Sequence, residues 1–226
     1  KPPSLEFLLI GSAAILLTAF GVVMAFSATT VESLKNSGSP YAGGITHLIY
    51  AAVGVPLMLV MSLLSLRWLQ RLAWPALILG IGLQLIVFTP LGDAQGGNRN
   101  WFYIGGMSIQ PSEFLKAGLV LWLAYILFRK QALIDRFWHF AIPALPVAGL
   151  AMATVLAGED LGTVMIMALV AFGTMYFAGV KLRFLGPIVI AGATLVTVFV
   201  VTSQNRMDRL LAVFRANAGL DTRGAL

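Results

Sequence analysis

Arg99, Gln110, Glu113 and Lys116 fall within one short polar stretch set between two long apolar runs. Arg, Glu and Lys held that close to a bilayer are costly unless they serve a purpose. Gln110-Pro111-Ser112-Glu113 has the form of a helix start, with proline in the first turn where its missing N–H costs nothing and an acid favoured by the helix dipole. Lys116 follows Glu113 by three residues and so shares its helical face. Two readings stay open: an ion pair that only orders the helix start, or a lysine that orients a carboxylate or contacts a phosphate. A second cluster, Gly158-Glu159-Asp160-Leu161-Gly162-Thr163, joins two apolar runs with almost no loop. Glu159 reads as a wet hairpin tip. Asp160, followed by Gly162 and Thr163, which permit close helix packing, can turn inward toward a pocket. A third cluster places Arg206, Arg209 and Arg215 at near-helical spacing among Leu210, Leu211, Val213 and Phe214. That pattern suits an amphipathic interfacial helix. Surface anchoring accounts for Arg215, whereas Arg206 and Arg209 also suit bidentate recognition of a lipid-linked pyrophosphate. Asp221 sits in a turn-like Gly219-Leu220-Asp221-Thr222-Arg223-Gly224 and carries no assignment by itself.

Membrane spans must position these side chains. The 226 residues are 59% hydrophobic and 11% charged, with mean hydropathy +0.89. A soluble domain of this size could not bury so much apolar surface. A spanning helix needs about 20 mostly apolar residues, and seven stretches qualify: 7–27, 45–66, 72–90, 114–128, 140–158, 161–180 and 185–201. The fold class is therefore an all-α polytopic membrane protein with about seven transmembrane helices, a single integral membrane domain over residues 1–226. The first apolar run leads into no soluble domain and reads as a retained span rather than a signal peptide. The absence of cysteine excludes disulfides and thiol chemistry. His47 and His139 fall near opposite membrane faces, so no imidazole metal site is readable. Without a phosphate-binding glycine loop or a dinucleotide fingerprint, ATP-driven transport has no support.

Charge sets the orientation. With the N-terminus cytoplasmic, Lys1, Arg67, Arg71, Arg129, Lys130, Arg136, Lys181 and Arg183 lie inside, as cytoplasmic loops prefer. The outer loops between spans then carry Lys35 and Arg99 together with Glu32, Asp93, Glu113, Glu159 and Asp160. The net charge of +6 is explained by this bias and gives no reason to expect nucleic acid. The basic tail after Val201 would be external, which points to an anionic ligand there.

Three separated pieces resemble the SEDS family (shape, elongation, division and sporulation proteins, of FtsW and RodA type). Gly97-Asn98-Arg99-Asn100-Trp101 followed by Gln110-Pro111-Ser112-Glu113 and Lys116 resembles the family's G-x-R-x-W loop and Q-P-S-E-x-x-K helix start. Glu159-Asp160-Leu161-Gly162-Thr163 resembles its P-D-L-G-T, with Glu159 in place of proline. Residues 202–226 resemble the start of its large external loop, in which R-x-x-R precedes a D-P-x-x-D-P-x-G run. Arg206, Arg209, Asp221 and Gly224 match, whereas Asn217 and Ala218 stand where the first Asp-Pro would lie and Thr222 replaces the second proline. The Ser37-Gly38-Ser39-Pro40-Tyr41 loop and the Asn98-Arg99-Asn100-Trp101 variant look more like the FtsW branch of actinobacterial type than the RodA branch. The family fold has about ten spans, so three would follow Leu226.

The resemblance implies a peptidoglycan glycosyltransferase of the bacterial plasma membrane, polymerising lipid II during cell division with inversion and loss of undecaprenyl pyrophosphate. Asp221 would be the general base. Arg99, Gln110, Glu113, Lys116, Asp160, Thr163, Arg206 and Arg209 would bind or position substrate. A divalent cation, Mg or Mn, is compatible with pyrophosphate departure; its ligands are unknown, and no organic cofactor is implied. The expected partners are lipid II, a class B penicillin-binding protein acting as transpeptidase, and other divisome proteins. A lipid II flippase or a non-catalytic scaffold for a transpeptidase would use the same polar groups without a base.

Overall fold

The computed structural model describes residues 5–95, 98–104 and 107–202. A long apolar segment in a bilayer satisfies its backbone polar groups internally only as a helix. Among the described residues there are seven: α1 (Leu5–Ser37), α2 (Ala42–Ser62), α3 (Leu66–Ile86), α4 (Pro111–Arg129), α5 (Phe137–Leu156), α6 (Leu161–Phe177) and α7 (Leu182–Val201). Six are long and apolar enough to cross a membrane. The remaining expected span, 161–180, is α6, whose 17 residues make a helix of about 26 Å. Every expected span is helical, with its ends shifted. α1 runs on to Ser37 rather than stopping near Ser27. Thr29 and Thr30 return their hydroxyls to the Ala25 and Phe26 carbonyls at 2.7 and 2.6 Å, so this more polar stretch stays helical by satisfying its own side chains.

The chain divides into two compact units, residues 1–68 and 69–226. In the first, α1 packs on α2 through small residues, as membrane helices commonly do. The Gly43 amide donates to Ser33 Oγ at 3.0 Å, and Gly44 lies against the Phe26 ring with no room for a Cβ.

In the second unit α4 packs on α5 and α6, α5 on α6, and α7 on α6, around a core that includes Leu115, Trp122, Phe140 and Met167. α3 and α4 approach closely where glycine allows it. A Cβ on Gly80 would fall 2.8 Å from Leu115 Cα, and one on Gly118 would fall 2.7 Å from the Ala76 carbonyl oxygen.

Between α3 and α4 the chain forms a small antiparallel sheet of β1 (Gly92–Gln95), β2 (Asn98–Ile104) and β3 (Met107–Ile109), an addition to the all-α body where the sequence reading had a loop. Its centre is Trp101-Phe102-Tyr103-Ile104, a run with high strand preference. The paired ends Gln95↔Asn98 and Ile104↔Met107 each leave two residues between strands. Both intervening pairs are Gly-Gly, the composition that tight hairpins favour. The register slips between Asp93 and Gln95, a bulge that bends β1.

Candidate functional site

The sheet, the start of α4 and the α5–α6 turn meet at one end of the second unit. The join is a backbone bond from the Arg99 amide in β2 to the Gly158 carbonyl, 2.9 Å long. Gln110 occupies the N-cap position of α4 but makes no cap with its side chain. Pro111 at N1 has no N–H to satisfy. The Gln110 side chain is thus free to cross to the α5–α6 turn, where Nε2 donates to Asp160 Oδ2 at 3.3 Å. Asp160 is the N-cap of α6. Its Oδ1 accepts from the Thr163 amide at 3.0 Å, and its Oδ2 accepts from Thr163 Oγ1 at 2.7 Å. Backbone amide, hydroxyl and carboxamide therefore converge on one carboxylate that is only 8% exposed. This fixes its orientation, which an aspartate at an exposed turn would lack.

Behind this turn stands a polar pair that the motif reading did not single out. Gln84 in α3 and Asn100 in β2 are both fully buried, and Gln84 Nε2 donates to Asn100 Oδ1 at 3.0 Å. Gly158 is packed against the same amide: a Cβ there would collide with Asn100 Oδ1 and come within 2.7 Å of the Arg99 carbonyl oxygen. Ser112, in the first turn of α4, is also fully buried. The available signal for Gln84 was its position late in an otherwise apolar span, where a polar residue is expensive. Its partner, sixteen positions on, could not be read from periodicity.

Glu159 is exposed, as expected of the hairpin tip, and adopts φ 62°. That left-handed conformation is unfavourable for a residue with a Cβ and impossible for proline, whose ring holds φ near −65°. The turn here thus has a backbone path that the P-D-L-G-T pattern could not follow.

Glu113 and Lys116 form the expected pair, with Nζ to Oε1 at 2.8 Å, 56% of the Glu113 side chain and 19% of the Lys116 side chain exposed. The structure thus unites Gln110, Asp160 and Thr163 directly, ties Arg99 to them through its backbone, and sets Glu113 with Lys116 on the adjoining helix. The Arg99 guanidinium donates to the Thr89 carbonyl at 3.0 Å. Arg206, Arg209 and Asp221 lie outside the described residues. The described cluster is suited to holding and orienting a polar ligand, since Asp160 is engaged by three donors and Glu113 by an ammonium. Among the described residues no three acids or imidazoles come together to hold a metal.

The family model described as cell cycle protein, FTSW_RODA_SPOVE, matches residues 7–220. A relative named probable peptidoglycan glycosyltransferase FtsW, from Mycobacterium tuberculosis, is 30% identical over 209 residues, 92% of this chain and 40% of its own length. Among solved structures, the rod shape determining protein RodA of Thermus thermophilus superposes with TM-score 0.60 at 26% identity, over 81% of this chain and 58% of that one. A chain solved in work on the structural coordination of polymerization and crosslinking by a peptidoglycan synthase complex gives TM-score 0.60 at 28% identity, over 87% of this chain and 59% of that one. The chain spans about half the length of the curated relatives it matches, 40% in one and 55% in another.

Proposed function

This chain belongs to the FtsW, RodA and SpoVE family of cell cycle proteins, and from that premise we propose that the protein of which it is part is a peptidoglycan glycosyltransferase that polymerises lipid II in cell division. The observation carrying this reading is the match, over 92% of the chain, to a relative named as a peptidoglycan glycosyltransferase. The chain is a multi-pass membrane protein. With its N-terminus in the cytoplasm, the sheet and the Asp160 turn face outward, where a lipid-linked sugar is presented.

In this reading the acceptor's sugar 4-hydroxyl attacks the anomeric carbon of the donor chain. The new glycosidic C–O bond forms as the anomeric bond to phosphate breaks, with inversion, and undecaprenyl pyrophosphate departs. The hydroxyl proton passes to a carboxylate acting as general base, assigned to Asp221. Asp160, with its orientation fixed by Thr163 and Gln110, presents a rigid polar wall to the sugar; Glu113 and Lys116 adjoin it. Arg99, Arg206 and Arg209 offset charge on the departing pyrophosphate. The described donor set offers no cradle for a divalent cation, because the oxygens of Asp160 are engaged by Thr163 and Gln110. A Mg or Mn ion, if bound, would supply charge neutralisation for the pyrophosphate, and no step is routed through it. A penicillin-binding transpeptidase is the partner that would crosslink the product; the coordination of polymerization and crosslinking by a peptidoglycan synthase complex, the subject of one structural relative, supports that pairing.

The test is lipid II polymerisation by the purified full-length protein with its transpeptidase, native against Asp221→Asn. Loss of glycan product from a folded, complex-forming variant is the expected result. Unchanged product would remove Asp221 from the mechanism. Absence of product from the native protein would put a lipid II flippase or a scaffold in its place.

A further inference from the structure

Asp160 and Arg99 stand on two chain segments that the fold must hold in register, and the material that holds them lies one layer deeper. β2 reaches the α5–α6 turn through the Arg99–Gly158 backbone bond. A sheet of three short strands docked by one such bond would rock, because an edge hydrogen bond alone fixes neither depth nor tilt. Besides the Arg99 side-chain bond to Thr89, which reaches no part of the α5–α6 turn, a further point of attachment is Asn100. Its side chain runs inward from β2, is fully buried, takes the Gln84 carboxamide at 3.0 Å, and fills the space against Gly158 that a Cβ would need. One amide thus touches both the rigid span α3 and the turn that carries Asp160.

Little else holds the two carboxamides. Among the described residues Gln84 Oε1 and Asn100 Nδ2 have no hydrogen-bond partner, so each carboxamide is held by the Gln84 Nε2–Asn100 Oδ1 bond. A buried amide deprived of its partner loses far more than a solvated one would.

We propose that Gln84 is a positioning residue: through Asn100 it sets the height of β2 and of the Gly158–Asp160 turn, and thereby places Asp160 and the Arg99 backbone for the ligand. This rests on the glycosyltransferase reading for its catalytic consequence, but not for its structural content.

The experiment uses full-length protein in nanodiscs and compares native, Gln84→Met and Trp122→Phe. Methionine keeps the length and bulk of glutamine and removes the donor. Trp122 is a buried core residue of α4 that takes no part in the site, and its variant serves as a control for destabilisation alone. Two readouts are taken. The first is amide hydrogen exchange, which needs no activity. Gln84→Met should speed exchange at Arg99, whose N–H bonds to Gly158, and at Thr163, whose N–H bonds to Asp160, by about tenfold, with α7 unchanged. The second is turnover per folded molecule in lipid II polymerisation, which should fall by about 10- to 100-fold, the scale of a small misplacement at a reacting centre. Trp122→Phe should lower the unfolding temperature without either effect. Unaltered exchange at Arg99 and Thr163 in Gln84→Met would overturn the proposal. So would a loss of turnover no greater than that of Trp122→Phe. If the native protein forms no glycan, the functional reading fails by itself, and the exchange result alone decides whether Gln84 positions the turn.

Discussion

At the sheet end of the second unit, Gln84, Asn100 and Asp160 are buried and bonded to named partners. At the opposite end, where α4 gives way to α5 and α6 to α7, Lys181 meets Asp135 at 3.0 Å with 46% and 65% of the two side chains exposed. There Arg129 lies beside Tyr125, its Nη1 donating to the phenol at 3.0 Å, and Lys130 donates to the His139 carbonyl at 3.0 Å. Both ends are polar, but the polarity is used differently. Exposed ions hold position weakly, since water competes for each of them. Buried amides and a capped carboxylate hold position strongly, because no solvent can replace a lost partner. The first arrangement suits marking a membrane face; the second suits presenting groups to a ligand.

That contrast can be broken most severely at Gly158. Gly158→Val forces a branched side chain into Asn100 and should cost about 3 kcal/mol or more, read as loss of folded protein in a thermal unfolding assay. Gly149→Val within α5, where nothing lies within 4 Å of the added Cβ, should change stability by less than about 0.5 kcal/mol and in the stabilising direction, because glycine is the poorer helix former. Next in size is Asp160→Ala, which removes the α6 cap and should cost about 1–2 kcal/mol; Asp160→Asn retains an acceptor for the Thr163 amide and should cost less. Glu159→Gly should act in the opposite direction, stabilising by about 1 kcal/mol through relief of the left-handed backbone, while Glu159→Pro should prevent the turn from closing. The smallest effect belongs to the far end. Lys181→Ala should change stability by less than about 1 kcal/mol, and the difference should shrink further in 1 M salt. An effect of Lys181→Ala comparable to that of Asp160→Ala would erase the distinction between the two ends.

The spans were legible because an apolar run in a bilayer has one backbone solution. The helix start at Pro111 was legible because proline position is a local rule, and the inward turn of Asp160 was read from the small residues Gly162 and Thr163 beside it, whereas its capping of α6 was not read. The sheet was less so: β1 reads Gly-Asp-Ala-Gln and shows no alternation, although the two Gly-Gly pairs around Asn98–Ile104 were hairpin signals in plain view. Gln84 was illegible for a different reason. A buried amide has meaning only through its partner, and no periodicity connects α3 to the middle of a strand. The helix continuing to Ser37 was hidden by composition, since polar residues end a membrane crossing without ending a helix.

The bond between Arg99 and Gly158 also constrains how the protein is made. Arg99 leaves the ribosome about 60 residues before Gly158, an interval of about 3–12 s at 5–20 residues per second. During that time β2 and its aromatic run have no turn to dock on, and the polar Asn100 has no cover from the α5–α6 hairpin. The sheet end is therefore completed only after α5 and the start of α6 have been made, long after its own strands. A translocation machinery that released the early spans too soon would leave that nascent sheet exposed at the membrane surface.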